Sequence, residues 1–272
     1  METTNLKDVY NFWNDESCGE RYVKGSSDID KFLSQEVARY KLEPYIKTFG
    51  NFEQFKNKNV LEIGVGLGCD HSQIAKSKPK NLTGVDITER AIENTKRRFD
   101  ILNLKSTLKT DNAENLSLKS ETFDIVYSWG VLHHSPDTKK CFKEVYRVLK
   151  PGGFAKIMIY HKNSPVGWML WLKYGLLRGK PFTNLDEVYS KHLESPGTKA
   201  YTVKQAKELL SDFSNFDLKI QLSFADLLDG DVGAGHRGHL LTLAKLFYPR
   251  RLVRFIAKIA PIGLFILITA QK

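Results

Sequence analysis

The sequence predicts a doubly wound α/β fold: a mostly parallel, seven-stranded sheet with helices on both faces, a helical cover before it and an insertion late in it. Three observations predict this. A short apolar run, Val60-Leu61-Glu62-Ile63, enters a glycine-rich turn and then a helical stretch. The same strand, turn and helix rhythm recurs up to residue 160. Two further strand-like runs, FDLKIQLSFADLL and GLFILITAQK, follow a looser region. Strands alternating with helices at this spacing require crossovers that cover both faces of a parallel sheet.

Taken in order, residues 1–55 read as helical and irregular, with an aromatic segment around Tyr10, Phe12, Trp13 and Tyr22 and then the amphipathic run SSDIDKFLSQEVARYKLEPYI. Its Ser and Asp residues suit a helix start. The core, residues 56–162, opens with NVLEIGVG as the first strand and CDHSQIAKSK as its helix. LTGVDIT makes a second strand and ERAIENTKRRFDILN a helix; STLKTDNAENL gives a third strand and loop. FDIVYSWGVLHH is the fourth strand, TKKCFKEVYRVLK a helix and GGFAKIMIYHK the fifth strand. Residues 163–272 hold PVGWMLWLKYGLLRGKP, the helix YTVKQAKELLSDF and the two last strands, with a lid-like insertion and a basic amphipathic segment on the rim.

Composition narrows the function classes. The chain has 272 residues, 42% hydrophobic and 26% charged, enough to bury one sizeable core. METTNLKDVY does not resemble a secretory signal and no apolar run has the length of a membrane span, so a cytoplasmic location is the expectation. Cys18, Cys69 and Cys141 lack paired spacing, which argues against a disulfide framework or a zinc site. Of the net charge of +10, residues 151–272 supply 17 − 9 = +8, and from Gly233 onward there are seven basic and no acidic residues. Such an excess favours an anionic partner, or is simply a solvated face.

Chemistry concentrates at Glu62-Ile63-Gly64-Val65-Gly66-Leu67-Gly68. In open α/β sheets the ligand lies beyond the carboxyl ends of the strands, and the first strand-to-helix turn contacts it. Glycines at 64, 66 and 68 let a ligand approach the backbone. A dinucleotide fingerprint would place its third glycine at 69, where Cys69 stands, so that pattern fails. Asp86, closing the second strand, can accept from both hydroxyls of a ribose, or cap the following helix.

In their order, VLEIGVGLG, GVDIT, TDNAENL, FDIVYSWGVLHHSPD and EVYRVLKPGG resemble the class I S-adenosylmethionine-dependent methyltransferase family, over about residues 58–160. The resemblance implies a Rossmann-like domain with S-adenosyl-L-methionine as cofactor. It implies that the backbone from Gly64 through Val65 and Gly66 to Gly68 cradles the methionine part, helped by Glu62. Asp86 would hold the ribose, Ile87 lie against the adenine and Asp111 accept its amino group, with Asn112 and Ala113 beside it. Ser128 and Trp129 fall where the fourth strand meets the methyl donor.

Methyl transfer from a sulfonium is an in-line displacement and demands no metal, so none is expected. A hydroxyl acceptor needs a base, and His133, His134, Tyr160 and His161 stand at the strand ends where one is wanted. Each could equally be a packing or backbone-bonded residue. Tyr10, Trp13, Tyr22, Trp168 and His236 are the substrate-side candidates; the histidines of GAGHRGH supply too few ligands for a zinc site. The expected acceptor is a small or lipid-linked molecule. Leu252, Phe255, Ile256 and Ile259, at helical spacing among Arg251, Arg254 and Lys258, admit peripheral contact with an anionic membrane, or packing on the sheet. Two alternatives stay open: a cofactor-binding regulatory or scaffold protein without turnover, and a nucleic-acid methyltransferase, against which stands Ser128-Trp129-Gly130-Val131 where the base-methylating motif would be.

Overall fold

A computed structural model describes residues 5–17, 19–20, 25–229 and 246–272. Seven strands form one sheet: β1 (Asn59–Ile63), β2 (Asn81–Asp86), β3 (Thr107–Thr110), β4 (Phe123–Trp129), β5 (Leu149–Tyr160), β6 (Asn215–Gln221) and β7 (Phe265–Gln271), in the order β3-β2-β1-β4-β5-β7-β6. The first five run parallel, while β7 is antiparallel to both β5 and β6. Strand order reverses between β1 and β4, so their tips diverge there and open a crevice.

Helices are α1 (Leu6–Asp15), α2 (Asp28–Leu42), α3 (Tyr45–Gly50), α4 (Cys69–Lys76), α5 (Glu89–Ile101), α6 (Thr138–Val148), α7 (Pro165–Tyr174), α8 (Leu185–His192), α9 (Val203–Leu209) and α10 (Arg250–Ile259). Their starts follow from local chemistry. Ser27, Thr88, Asp137 and Ser164 each accept a backbone N–H of the first turn, and Pro165 begins α7. Thr202 and Gln205 form a reciprocal box at α9.

Side-chain alternation along the central strands separates two cores. Tyr127 and Trp129 of β4, Met158 and Tyr160 of β5 and Phe265 of β7 share one with Ile74 of α4 and Phe99 of α5. Val126, Ile157, Ile159 and Ile266 face the other, against Phe142 and Val145 of α6 and Ala206 of α9. On the first face the cover is anchored by Arg98, buried in α5, which donates to Phe32 O and to Gln35 of α2.

Among the described residues no helix is long and apolar enough to cross a membrane.

Candidate active site

Beyond the tips of β1, β2, β4 and β5 lies a cavity of about 1210 Å³, walled on its outer side by α1, the end of α2, α7 and residues 223–225. The β1–α4 turn forms its floor. Gly64 (φ +83°), Gly66 (+52°) and Gly68 (+71°) all hold left-handed backbone, each for its own reason. A Cβ on Gly64 would strike Val131 at 2.1 Å, and one on Gly68 would meet Thr95 at 2.9 Å. One on Gly66 would meet no protein atom within 4 Å, so that bend faces open cavity. Gly68 is therefore where α4 and α5 pack, and it does not reach the cavity wall.

Two carboxyl groups flank the bend. Asp86 accepts from Gly66 N at 3.1 Å and from Thr88 N and Oγ1 at 3.0 Å, which fixes its orientation toward the cavity. Burial pushes its pKa up, against those hydrogen bonds. Glu62, buried in β1, lies 2.8 Å from Nδ1 of His71, whose Nε2 is 2.7 Å from Ser106 Oγ. The Ser106 hydroxyl also lies 3.1 Å from Leu82 O, so it sits between that carbonyl and Nε2 of His71. Burial pushes Glu62 well above the usual carboxyl range and lowers His71 to about 3.

At the tip of β3 the Asp111 carboxylate accepts from Ser117 N at 3.0 Å, Ser117 Oγ at 2.6 Å and Asn112 N at 3.0 Å. It shapes its own loop, while Asn112, Ala113 and Ile87 complete this end of the cavity. Trp129 also lines the cavity, stacked on Tyr45. Ser128 points the other way, buried, its hydroxyl donating to Ile63 O at 3.0 Å.

Of the adjacent histidines after β4, a 3-10 turn (Leu132–His134) turns His134 to the cavity and His133 inward. His133 is fully buried between the rings of His134 and Tyr160, at 4.2 and 4.0 Å. Tyr160 lines the cavity and donates to Glu194 Oε2 at 2.6 Å. His161 lies off the wall, with Nδ1 donating to Gly263 O at 3.0 Å. Trp13 lines the cavity and meets His134 edge-on at 5.1 Å. Tyr10 instead donates to Glu89 at 2.6 Å on the outer face of α5, and Trp168 lies 43% exposed on the outside of α7. Tyr22 and His236 lie outside the described residues, as does Cys18.

Two groups on the wall carry no local sequence signal. Asp70, at the start of α4, is held by Arg39 of α2 through Nε and Nη2 at 2.9 and 2.6 Å, and by the hydroxyls of Tyr40 and Tyr127 at 2.9 and 3.0 Å. Burial opposes its charge, yet the guanidinium and the hydroxyls keep its carboxyl below the usual range. Glu43, which burial pushes up to about 7, and Glu194 face each other's field across the outer part. Among the described residues no cluster of three or more His, Cys, Asp or Glu is placed to hold a metal ion.

The bend at Gly66, the fixed Asp86 and the Glu62 carboxyl fit an adenosyl cofactor carrying an ammonium group, in a space large enough to take an acceptor beside it.

A family model described as a methyltransferase domain matches residues 61–157. Phosphoethanolamine N-methyltransferase 2 of Caenorhabditis elegans is 30% identical over 119 residues, 43% of this chain and 27% of that protein. A fatty-acid O-methyltransferase of Mycolicibacterium smegmatis is 32% identical over 122 residues, 44% of this chain and 43% of that one. The chain thus spans less than half the length of these two curated relatives. Among solved structures, a Thermotoga maritima protein described as an S-adenosylmethionine-dependent methyltransferase, possibly acting on histamine, superposes with a TM-score of 0.55 at 18% identity, over 97% of this chain and 99% of that one. Residues 61–157 thus match a methyltransferase domain, and the seven-stranded sheet around them has the fold of S-adenosylmethionine-dependent methyltransferases.

Proposed function

We propose that the protein transfers a methyl group from S-adenosylmethionine to a small or lipid-linked acceptor held in the outer part of the same cavity. The observation that carries this reading is the juxtaposition of Gly66, open to the cavity, with the oriented carboxylate of Asp86, 3.1 Å from its N–H. S-adenosylmethionine, when bound, supplies a methyl group on a positively charged sulfur. The chain's own residues bind, orient and keep water out. Asp86 accepts from the ribose hydroxyls, Glu62 meets the ammonium group, and Ile87, Asn112 and Ala113 enclose the base, with Asp111 holding their loop in shape. Trp129 and Tyr160 border the space between donor and acceptor. Aligning the two reactants in a water-poor cavity removes much of the entropic barrier to displacement.

Calorimetric titration with S-adenosylhomocysteine, followed by a transfer assay with labelled S-adenosylmethionine, tests the reading. Charge-assisted hydrogen bonds contribute roughly 1.5–3 kcal/mol, so Asp86→Ala should weaken cofactor affinity by about 10- to 150-fold. Undiminished affinity in that variant, or no binding by the unaltered protein, removes the proposal.

A lipid-linked acceptor has its own support. Leu252, Phe255 and Ile259 form an exposed apolar stripe on α10, with Arg251 and Lys258 beside it. Arg250 and Arg254 bind Asp229, just beyond the 223–225 segment that lines the cavity. This helix suits an anionic membrane surface, with the cavity close to it.

A further inference from the structure

We propose that the tip following α7, residues 175–183, docks on an anionic phospholipid bilayer, with Leu177 and Phe182 entering the acyl region while Arg178, Lys180 and Lys191 hold a lipid phosphate in a cleft beside them. The proposal deepens the lipid-linked reading of the acceptor and rests on that reading, through residues apart from α10.

One side of α7 faces the large cavity: Val166, Leu170 and Tyr174, each four residues from the last, line it. Trp168 and Leu172 are exposed on the other side, and Leu176 continues that row into a 3-10 turn, Leu176–Arg178. A helix with one face inward ordinarily carries polar groups on the other, and here both are apolar. Beyond it Leu177 is 70% exposed and Phe182 98%. The tip is closed on itself: Arg178 N and Lys180 N donate to Gly175 O at 3.0 Å, and Trp171 Nε1 donates to Thr183 O at 2.9 Å. Phe182 is thus held outward by a hydrogen-bonded frame. A grouped apolar surface of this kind marks a site of interaction.

Charge selects the partner. Between Pro165 and Asn184 there are three basic residues, Lys173, Arg178 and Lys180, and no acidic one. The acids that follow on α8 are paired, Asp186 with Lys162 at 2.6 Å and Glu187 with Lys191 at 2.7 Å. Arg178, Lys180, Lys191 and His192 border a cleft of about 250 Å³, with Glu187 the acid among them. Burial first, then Lys191 and Arg178, lower the His192 pKa, so positive potential gathers in the cleft. A bilayer of anionic lipid presents phosphates directly above acyl chains, which is the order in which the cations and the apolar tip stand here. Tyr174, Lys191 and His192 line both the cleft and the large cavity, and the rings of Tyr174 and His192 stack at 3.8 Å. A lipid whose phosphate rests in the cleft therefore has its head group beside the acceptor's space.

Partition of the full chain onto sedimented vesicles tests this, with phosphatidylglycerol-containing and pure phosphatidylcholine vesicles compared. Leu177→Ser with Phe182→Ser should lower partition about tenfold or more. Arg178→Gln with Lys180→Gln should lower it by about 10- to 30-fold on the anionic vesicles and change it little on the neutral ones. In Phe182→Trp, brominated acyl chains should quench the added fluorescence. Unquenched fluorescence on sedimented protein, or partition that both pairs of substitutions leave unchanged, overturns the tip while the α10 stripe keeps its own support. A dimer in free solution that Leu177→Ser with Phe182→Ser makes monomeric also overturns it, the patch then joining two copies of the chain. Affinity for S-adenosylhomocysteine should stay within about twofold in these variants, since the tip lies apart from the cofactor's contacts. Titration of the unaltered protein with that compound therefore decides the methyl-transfer reading separately.

Discussion

Glu62 is the residue whose state decides the first electrostatic event. Burial raises its carboxyl pKa well above the usual range, and an ammonium group brought against it favours the ionised form. Cofactor binding should release a proton, and affinity should fall as pH drops below the free protein's Glu62 pKa, by up to about tenfold per pH unit. Calorimetry in two buffers of different ionisation heat checks this; equal observed enthalpies would refute it. That Glu62 and Asp86 line the cavity was legible in the sequence, because strand ends in this architecture open on the crevice. Which of two neighbouring histidines reaches the cavity was not, because a 3-10 turn after β4 decides it. Asp111 showed its position in the cavity wall, but not the hydrogen bond that its carboxylate accepts from Ser117, six residues on. Glu194 was invisible, being brought to Tyr160 across 34 residues by the tertiary fold.

At the scale of elements, α2 is fastened to α4 by the buried ion pair of Arg39 and Asp70. Breaking a buried pair from one side leaves an uncompensated charge, so Arg39→Ala should lower stability by about 3–5 kcal/mol, read from urea unfolding. A loss under about 1 kcal/mol would show the pair to be solvated. The pair spans 31 residues, and neither partner's neighbours announce the other. For α10, sedimentation with phosphatidylglycerol vesicles at low salt should carry the protein down, and Leu252→Ser with Phe255→Ser should leave it in solution. Failure of the unaltered protein to sediment would sink the membrane reading. The sequence period gave the helix and its stripe; that the stripe stays exposed depends on packing that the period does not encode.

For the molecule as a whole, histidines buried without charge make stability depend on pH. The folded pKa of His134, about 3, lies below its ordinary value of 6.5. The unfolded chain therefore takes up the proton first, and stability is lost as pH falls from about 6.5 toward 3, by up to about 1.4 kcal/mol per unit. Thermal midpoints measured from pH 7 to 5 should fall less steeply in His134→Asn than in the unaltered protein; parallel curves would contradict this. The overall topology was readable because each parallel strand needs its crossover, and the alternation of patterns exposes that need. The outer wall of the cavity was not readable, since it comes from several separate stretches of chain.

The long excursion between β6 and β7 leaves the sheet at Gln221 and returns at Phe265, and these two residues are partners on a single rung. Its two ends are already joined by the ladder, so length and content between them can change without disturbing the register of either strand. Diversification of what this scaffold recognises has an anchorage here that inheritance can rewrite as a cassette, leaving the nucleoside berth on the far strands untouched.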